Sequence, residues 1–320
     1  MQRKVLCFGD CSIDILVPID KMPVSGGCSF SSEKVISIGG SAANVAAGLA
    51  YLGANVSLLS MLGEDLLGEA ANKLLEKLGV NRESVLQSRS FPTGLVIGLV
   101  FPDGEKKWIS VRRCSADIHI DWAMIEDVQL PDIVFVSGIM INEGIESRIA
   151  AQNLAKKAKK QERIVILDPN IRIPDWELSV EKRHAYMKTL ESVDIFLPNK
   201  QELFMITDCS DLREASSVVL DKGVSEIWVK DGADGCTFIS RAIEEHFAVP
   251  KVNVVDSSGA GDAFNAALIL ARLIRKQSIT ESGRLATDFG SKFTEYLGTT
   301  NVFENLNLDL GGASVEQSDS

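Results

Sequence analysis

The stretch Asp256-Ser257-Ser258-Gly259-Ala260-Gly261-Asp262-Ala263-Phe264-Asn265 decides how the rest of the chain is read. An apolar run, Phe247 to Val255, leads into it with Pro250 at a turn, and an apolar helical pattern, Ala263 to Ile274, leads out. Between them stand Gly259, Ala260 and Gly261, whose backbone can come close to a ligand because little or no side chain is in the way. A helix starting here has its first N–H groups unpaired and the positive end of its dipole facing outward, which suits an anion such as a phosphate. Asp262 falls in that first turn. Taken alone, Gly-Ala-Gly is an ordinary tight turn and Asp262 a helix cap. A carboxylate beside a phosphate repels it unless it has a task, and the natural task is to take a proton from an attacking hydroxyl.

Outward from this stretch, short buried strands alternate with helices. Lys4 to Gly9 reads as a strand, Ala42 to Leu52 as a helix closed by Gly53, Val56 to Leu62 as a strand and Glu69 to Leu78 as a helix closed by Gly79. The alternation returns from Ile133, with strands at 133–137, 164–168, 195–197, 226–229 and 236–240. Helices are expected at about 145–161, 181–190, 211–222 and 282–297. Such a pattern builds a mostly parallel sheet. Residues 94–101 and 107–111 break it, flanking Pro102-Asp103-Gly104-Glu105 as a β-hairpin. A hairpin does not enter a parallel sheet as a crossover, so it is expected to form a separate small sheet with 13–17 and 33–38.

The 320 residues suffice for one large α/β domain. A net charge of −11 argues against nucleic acid and anionic membrane as partners, so any anionic ligand needs a local positive feature. Six scattered cysteines without a C-x-x-C pair, and three distant histidines, argue against zinc. The run at Val5–Phe8 is too short for a signal peptide, and a reduced, cytoplasmic protein is expected.

Several further motifs place polar groups beside small residues. Gly39-Gly40-Ser41-Ala42-Ala43-Asn44 sets paired glycines before a helix, and Asn44 can offer both a donor and an acceptor to a pair of hydroxyls. Asp14 lies just past the first strand, at a sheet end where ligands bind in open α/β sheets. Asp168-Pro169-Asn170-Ile171-Arg172 follows a buried strand, and Arg172 can hold a phosphate or a carboxylate. Asn199-Lys200-Gln201-Glu202 reads equally as a helix capping box. Lys230-Asp231-Gly232-Ala233-Asp234-Gly235 reads as a turn between strands, and Arg112-Arg113 as either a solvated pair or a hand reaching a ligand.

Taken together and in this order, the motifs resemble those of the PfkB (ribokinase-like) carbohydrate kinases over about residues 4–298. Asp256 to Asp262 is similar to the family's Asp-Thr-x-Gly-Ala-Gly-Asp, with Ser257 keeping the hydroxyl of the usual Thr. Gly39 to Gly53 is similar to its Gly-Gly-x-x-x-Asn and following Ala-x-x-Leu-x-x-Leu-Gly, and Gly63-Glu64-Asp65-Leu66-Leu67-Gly68 to its Gly-x-Asp-x-x-Gly. Asp168 to Arg172, with Trp176 after it, resembles the fructokinase and 2-keto-3-deoxygluconate kinase branch. The resemblance implies a ribokinase-like α/β fold: a central, mostly parallel sheet sandwiched by helices, with a small β-sheet lid. It further implies one kinase domain over residues 1–304, lid segments at about 11–38 and 93–114, and a frayed tail over 305–320.

The resemblance implies an ATP-dependent sugar kinase acting on a hydroxyl of a small sugar or keto sugar acid, with Asp262 as catalytic base and Gly259, Ala260 and Gly261 as anion hole. It assigns Asp14, Gly39, Gly40, Asn44, Arg113 and Arg172 to the sugar, and Asn170, Asn199, Lys230, Gly232, Gly235 and Asp288 to the nucleotide, Asp288 standing where the family often has Asn. Asn199 and Glu202 would help place Mg²⁺, largely through water, and Asp256 and Ser258 a monovalent cation such as K⁺. The lid sheet could pair with that of a second subunit. A nucleoside kinase of the same fold would need an aromatic base-stacking set in the lid, which is not evident. A binding regulator without catalysis would not need Asp262 beside an intact anion hole. A dinucleotide-binding dehydrogenase would need Gly-x-Gly-x-x-Gly after the first strand, where Gly9-Asp10-Cys11 stands instead.

Overall fold

The computed structural model describes residues 3–102, 104–172, 177–304 and 306. Asp103, Trp176 and the tail apart from Leu306 lie outside the described residues. In chain order the elements are β1 Lys4–Phe8, β2 Ser12–Pro18, β3 Val35–Gly39, α1 Ser41–Tyr51, β4 Asn55–Gly63, α2 Leu66–Lys77, β5 Val85–Ser88, β6 Gly94–Val100 and β7 Lys106–Val111. They continue with α3 Trp122–Ile125, β8 Ile133–Ser137, α4 Ile139–Glu143, α5 Ile145–Lys160, β9 Ile164–Asp168, α6 Val180–Leu190, β10 Ile195–Phe196, α7 Lys200–Thr207 and α8 Leu212–Leu220. The last are β11 Glu226–Lys230, β12 Cys236–Ile239, β13 Glu244–Phe247, α9 Ala260–Leu268 and α10 Ile279–Phe293.

Nine strands form one sheet in the order β13-β12-β11-β10-β9-β8-β1-β4-β5. Pairings from β5 to β11 are parallel, and β12 and β13 add an antiparallel edge. The strands are apolar on both faces because both are covered: in β1, Val5 and Cys7 pack into one core and Leu6 and Phe8 into the other. The chain leaves β1 for β4 and β5 on one side, then crosses to β8 on the other. That reversal opens a crevice at the strands' carboxyl ends, where open α/β sheets bind ligands.

The remaining four strands form the small sheet, in the order β3-β2-β6-β7. Its register pairs Asp14 with Val96, and Val96 with Ser110, so these share one face. Ile36, Ile15, Ile97 and Ile109 form a row across the other.

Several elements depart from the sequence expectation, among them the short helices α3 and α4, which went unread. β5 and β13 went unread because a four-residue strand shows almost no periodicity. The helix expected over 282–297 is Ile279–Phe293, since Ser278 and Glu281 close a capping box three residues earlier. In the segment expected to fray, Leu306 is buried, and its carbonyl accepts the Tyr51 hydroxyl.

Two helices set the site. Gly48 of α1 lies against Ala266 of α9 so closely that a Cβ on Gly48 would come within 2.8 Å of the Ala266 methyl. Seven and four residues earlier on α1 stand Ser41 and Asn44, and four residues earlier on α9 stands Asp262. These positions share the facing stripes of the two helices.

Candidate active site

At that helix contact the Asp262 carboxylate is buried, 8% exposed, and held by two side chains. Ser41 Oγ donates to Oδ1 and Asn44 Nδ2 to Oδ2, each at 2.8 Å. Burial pushes the Asp262 pKa up to about 6; Asn44 opposes the rise, Asp168 adds to it, and Ser41 and Arg172 oppose it. A carboxylate with its pKa near 6 is ionised at neutral pH and still basic enough to take a proton. Asn44 Oδ1 is buried without a partner, an acceptor held ready for a hydroxyl. Gly259 caps α9 with φ +75, a left-handed conformation that glycine adopts without strain. The N–H groups of Gly261 and Asp262, in the first turn, have no preceding helical carbonyl to bond.

Asp14 stands on the small sheet opposite. Gly39 allows it to be there: a Cβ on Gly39 would lie 1.9 Å from Asp14 Oδ1. Gly40 follows with φ +96, turning the chain into α1. Asp14 takes one hydrogen bond, from Ser12 Oγ at 3.1 Å. Burial raises its pKa to about 6 against the pull of Ser12, Arg112 and Arg172. Arg172 thus acts on both Asp14 and Asp262, and its side chain is exposed.

The two lid arginines have separate fates. Arg112 is buried and spans three carboxylates, with NH2 2.7 Å from Asp117 Oδ2, Nε 3.5 Å from Glu143 Oε2 and NH1 3.7 Å from Asp10 Oδ2. Burial works against its charge, and Asp117, Asp10 and Glu143 outweigh it and hold its pKa above the ordinary value. Asp10 also accepts the N–H groups of Ser41 and Ala42, supplying the cap of α1 that Gly40 lacks. Arg112 is therefore part of the frame. Arg113 is exposed.

On the other side of α9 a cavity of about 390 Å³ runs past the anion-hole turn. It is lined by Lys230, Gly232 and Gly235, by Val249 to Val252 and Val254, by Ala260, Gly261 and Phe264, and by Thr287, Gly290 and Ser291 of α10 with Thr294 just after it. Lys230 Nζ is paired with Asp168 Oδ2 at 2.8 Å and reaches Asn265 Oδ1 at 3.4 Å; Asn265 Nδ2 also donates to Asp168. It lies 3.8 Å from the place of a Cβ on Gly261, so a fixed cation stands beside the Gly259–Gly261 turn. Asp288 is exposed and outside this lining, because the stripe facing the cavity runs through Thr287, Gly290, Ser291 and Thr294. Asn170, with φ +38, is half-buried and also outside it, its N–H donating to Asp168 Oδ1 at 3.1 Å.

Asn199 and Glu202 form the capping box of α7. Glu202 accepts Ile171 N–H on one oxygen and Asn199 N–H on the other, both at 2.8 Å, and burial, with Asp168 adding, raises its pKa to about 7. With both oxygens held by backbone, the pair fits a divalent cation only through water. Among the described residues no group of three acidic, His or Cys side chains could hold a metal directly. Asp256 and Ser258 do not fit the expected monovalent cation: Asp256 Oδ1 is already paired with the Lys106 ammonium of β7 and accepts Ser258 N–H at 2.8 Å. Ser41, Asp168, Asn265 and Lys106 were not assigned from the sequence. Ser41 and Asn265 lie inside motifs already singled out, one helical turn from an assigned residue, while Lys106 gave no local signal.

The family model described as pfkB family carbohydrate kinase matches residues 2–306. The chain is 28% identical over 272 residues to Fructokinase-2 of Oryza sativa subsp. japonica, covering 83% of this chain and 79% of the relative. A fructokinase with bound ATP from Xylella fastidiosa superposes with a TM-score of 0.78 at 22% identity, covering 94% of this chain and 95% of the other. A fructokinase double mutant from Vibrio cholerae O395, in fructose, ADP and potassium ion bound form, superposes with a TM-score of 0.79 at 20% identity, covering 95% and 96%. The architecture is thus ribokinase-like.

Proposed function

We propose, on the premise that the chain belongs to the pfkB family of carbohydrate kinases and is an ATP-dependent sugar kinase, that its acceptor is a hexose-sized ketose or keto sugar acid, of the fructose or 2-keto-3-deoxygluconate type. The ketose arm rests on the fructokinase relatives, and the sugar-acid arm on Arg172, an exposed guanidinium whose charge lowers the pKa values of both Asp14 and Asp262. A guanidinium there can bind the carboxylate of a keto sugar acid, whereas a neutral ketose needs only hydroxyl partners such as Asp14 and Asn44.

In this reading Asp14 and Asn44 Oδ1 bind sugar hydroxyls, and Gly39 keeps Asp14 in reach. Ser41 and Asn44 orient Asp262 by their two hydrogen bonds. Asp262 takes the proton of the acceptor hydroxyl as its oxygen bonds to phosphorus and the bond to the departing nucleoside diphosphate breaks. The Gly259–Gly261 turn, through the Gly261 amide and that of Asp262 next to it, and the Lys230 ammonium stabilise charge on the transferring group. ATP would supply the phosphoryl group; Asn199 and Glu202 would help hold Mg²⁺ through water, and the ion would supply charge neutralisation. The turn of Gly232 and Gly235 and the α10 stripe of Thr287 and Ser291 enclose the nucleoside.

We read residues 1–304 as one domain in which the small sheet acts as a lid. Its exposed Ile36, Ile109 and Val111 support pairing with a second copy. Among the described residues no helix is long and apolar enough to cross a membrane. The six cysteines are free, which supports a cytoplasmic place. The test of the acceptor is steady-state kcat/KM with ATP. Fructose or 2-keto-3-deoxygluconate should exceed ribose and adenosine by at least about tenfold, or about 1.4 kcal/mol. A higher value for ribose or adenosine overturns the acceptor and leaves the kinase.

A further inference from the structure

Asp256 opens the anion-hole segment, and its side chain is wholly buried. One oxygen accepts Gly298 N–H at 2.9 Å; the other accepts Ser258 N–H at 2.8 Å and is paired with Lys106 Nζ. Lys106 starts β7, and its side chain is 13% exposed. By the strand's two-residue period it shares the face of Ser110, and through Val96 the face of Asp14, so the ammonium comes from the side of the small sheet that looks onto the site.

We propose that the Lys106 ammonium is a tethered cation standing in place of a monovalent metal ion at Asp256, so that the chain works without K⁺. The inference goes beyond the acceptor reading and does not depend on which sugar is used. An uncompensated buried carboxylate is costly, and beside an anion hole its field opposes the phosphoryl oxygens that the turn must hold. One positive charge at Asp256 cures both. An ammonium carries the same charge as K⁺, donates hydrogen bonds and is delivered by the chain itself, at an effective concentration independent of the medium. Because it arrives on β7, the charge is in place only while the small sheet is seated. β3 seats that sheet on the same segment: Thr300 Oγ1 accepts Ile38 N–H at 3.0 Å, two residues beyond Gly298. Lys106 is thus a positioning residue for the anion hole.

The test needs neither sugar nor turnover. Thermal unfolding of the full chain is followed in about 100 mM KCl and in tetramethylammonium chloride at equal ionic strength, for the wild type and for Lys106→Met, with Lys106→Gln as a second variant. The variant-minus-wild-type difference cancels general salt effects. A K⁺ ion that binds only the native state raises Tm, so the variants should gain about 2 °C or more in K⁺, and the wild type should not. With whichever sugar turns over, wild-type kcat should differ less than about twofold between the two salts, and that of the variants about tenfold or more in favour of K⁺. An equal response to K⁺ in wild type and variants, or a larger one in the wild type, overturns the proposal.

Discussion

Asp10 and Asp14 stand four residues apart at one end of the sheet, and their surroundings give them opposite work. Asp10 accepts two helix N–H groups and faces Arg112, which is itself shared with Asp117 and Glu143. Asp14 has one hydroxyl partner and a raised pKa. Asp262 repeats the second pattern one helix away, with two neutral donors. The difference teaches that burial alone does not mark a working carboxylate here. The closed cluster balances its charges internally, while the side chains that hydrogen-bond Asp14 and Asp262 are neutral donors.

The strongest way to break this comparison is at Asp262. Asp262→Asn keeps the size and removes proton acceptance, so kcat should fall about 10²–10⁴-fold, with sugar affinity measured by calorimetry changed far less. Turnover near that of the wild type would return Asp262 to the role of helix cap. On the closed side, Arg112→Met leaves the buried Asp10 and Asp117, and the half-buried Glu143, without their cation. Urea unfolding should then show a loss of about 3–5 kcal/mol. A stable, sugar-blind Arg112→Met protein would instead make Arg112 a binding residue.

Arg172 supplies the contrast. Exposed and outside the closed cluster, it should tolerate Arg172→Met with stability changed by less than about 0.5 kcal/mol. Its kcat/KM for a keto sugar acid should fall by about 1.5–3 kcal/mol, the worth of a hydrogen bond to a charged group. An unchanged kcat/KM removes the observation on which the sugar-acid arm rests. The smallest effect is in pH. Asp14 and Asp262 both have folded pKa values of about 6, above the ordinary carboxylate value of 3.8. Ionised Asp262 is the active form, so kcat/KM should rise with pH up to about 6 and level off above it. For stability the sign is reversed. The protonated carboxyls favour the folded state, fully below pH 3.8, and that contribution is lost as pH rises through about 6. Asp14→Asn, permanently neutral, should therefore gain Tm relative to the wild type at pH 7.5 and not at pH 4. A gain of the same size at both values would mean that desolvation of Asp14 is not the cause.

Much of the site is local and could be read in order along the chain. Gly259 to Asp262 and Gly39 to Asn44 are each a turn followed by a helix start, and both helices form where the small residues and the apolar pattern put them. Asn199 and Glu202 form the capping box their spacing suggests. What the sequence left undecided is what depends on direction. Asp288 and Ser291 lie three residues apart on α10, and only the packing of that helix decides that Ser291 lines the cavity while Asp288 faces solvent. Arg112 and Arg113 are neighbours in a strand end, where successive side chains point to opposite faces, so one is buried and the other exposed.

By itself, then, the sequence determined the ribokinase-like architecture, the small second sheet and the two glycine turns that lead into α1 and α9. Each rests on periodicity, turn chemistry or a contiguous motif, all expressed within a few residues. Only the tertiary structure decided which charges meet. Asp262 finds Ser41 and Asn44 across more than 200 residues because Gly48 and Ala266 let two helices touch. Lys106 finds Asp256 because β7 of the small sheet carries it to the segment before α9. Electrostatic pairing depends on distance through space and on desolvation, and neither is encoded in the spacing of residues along a chain.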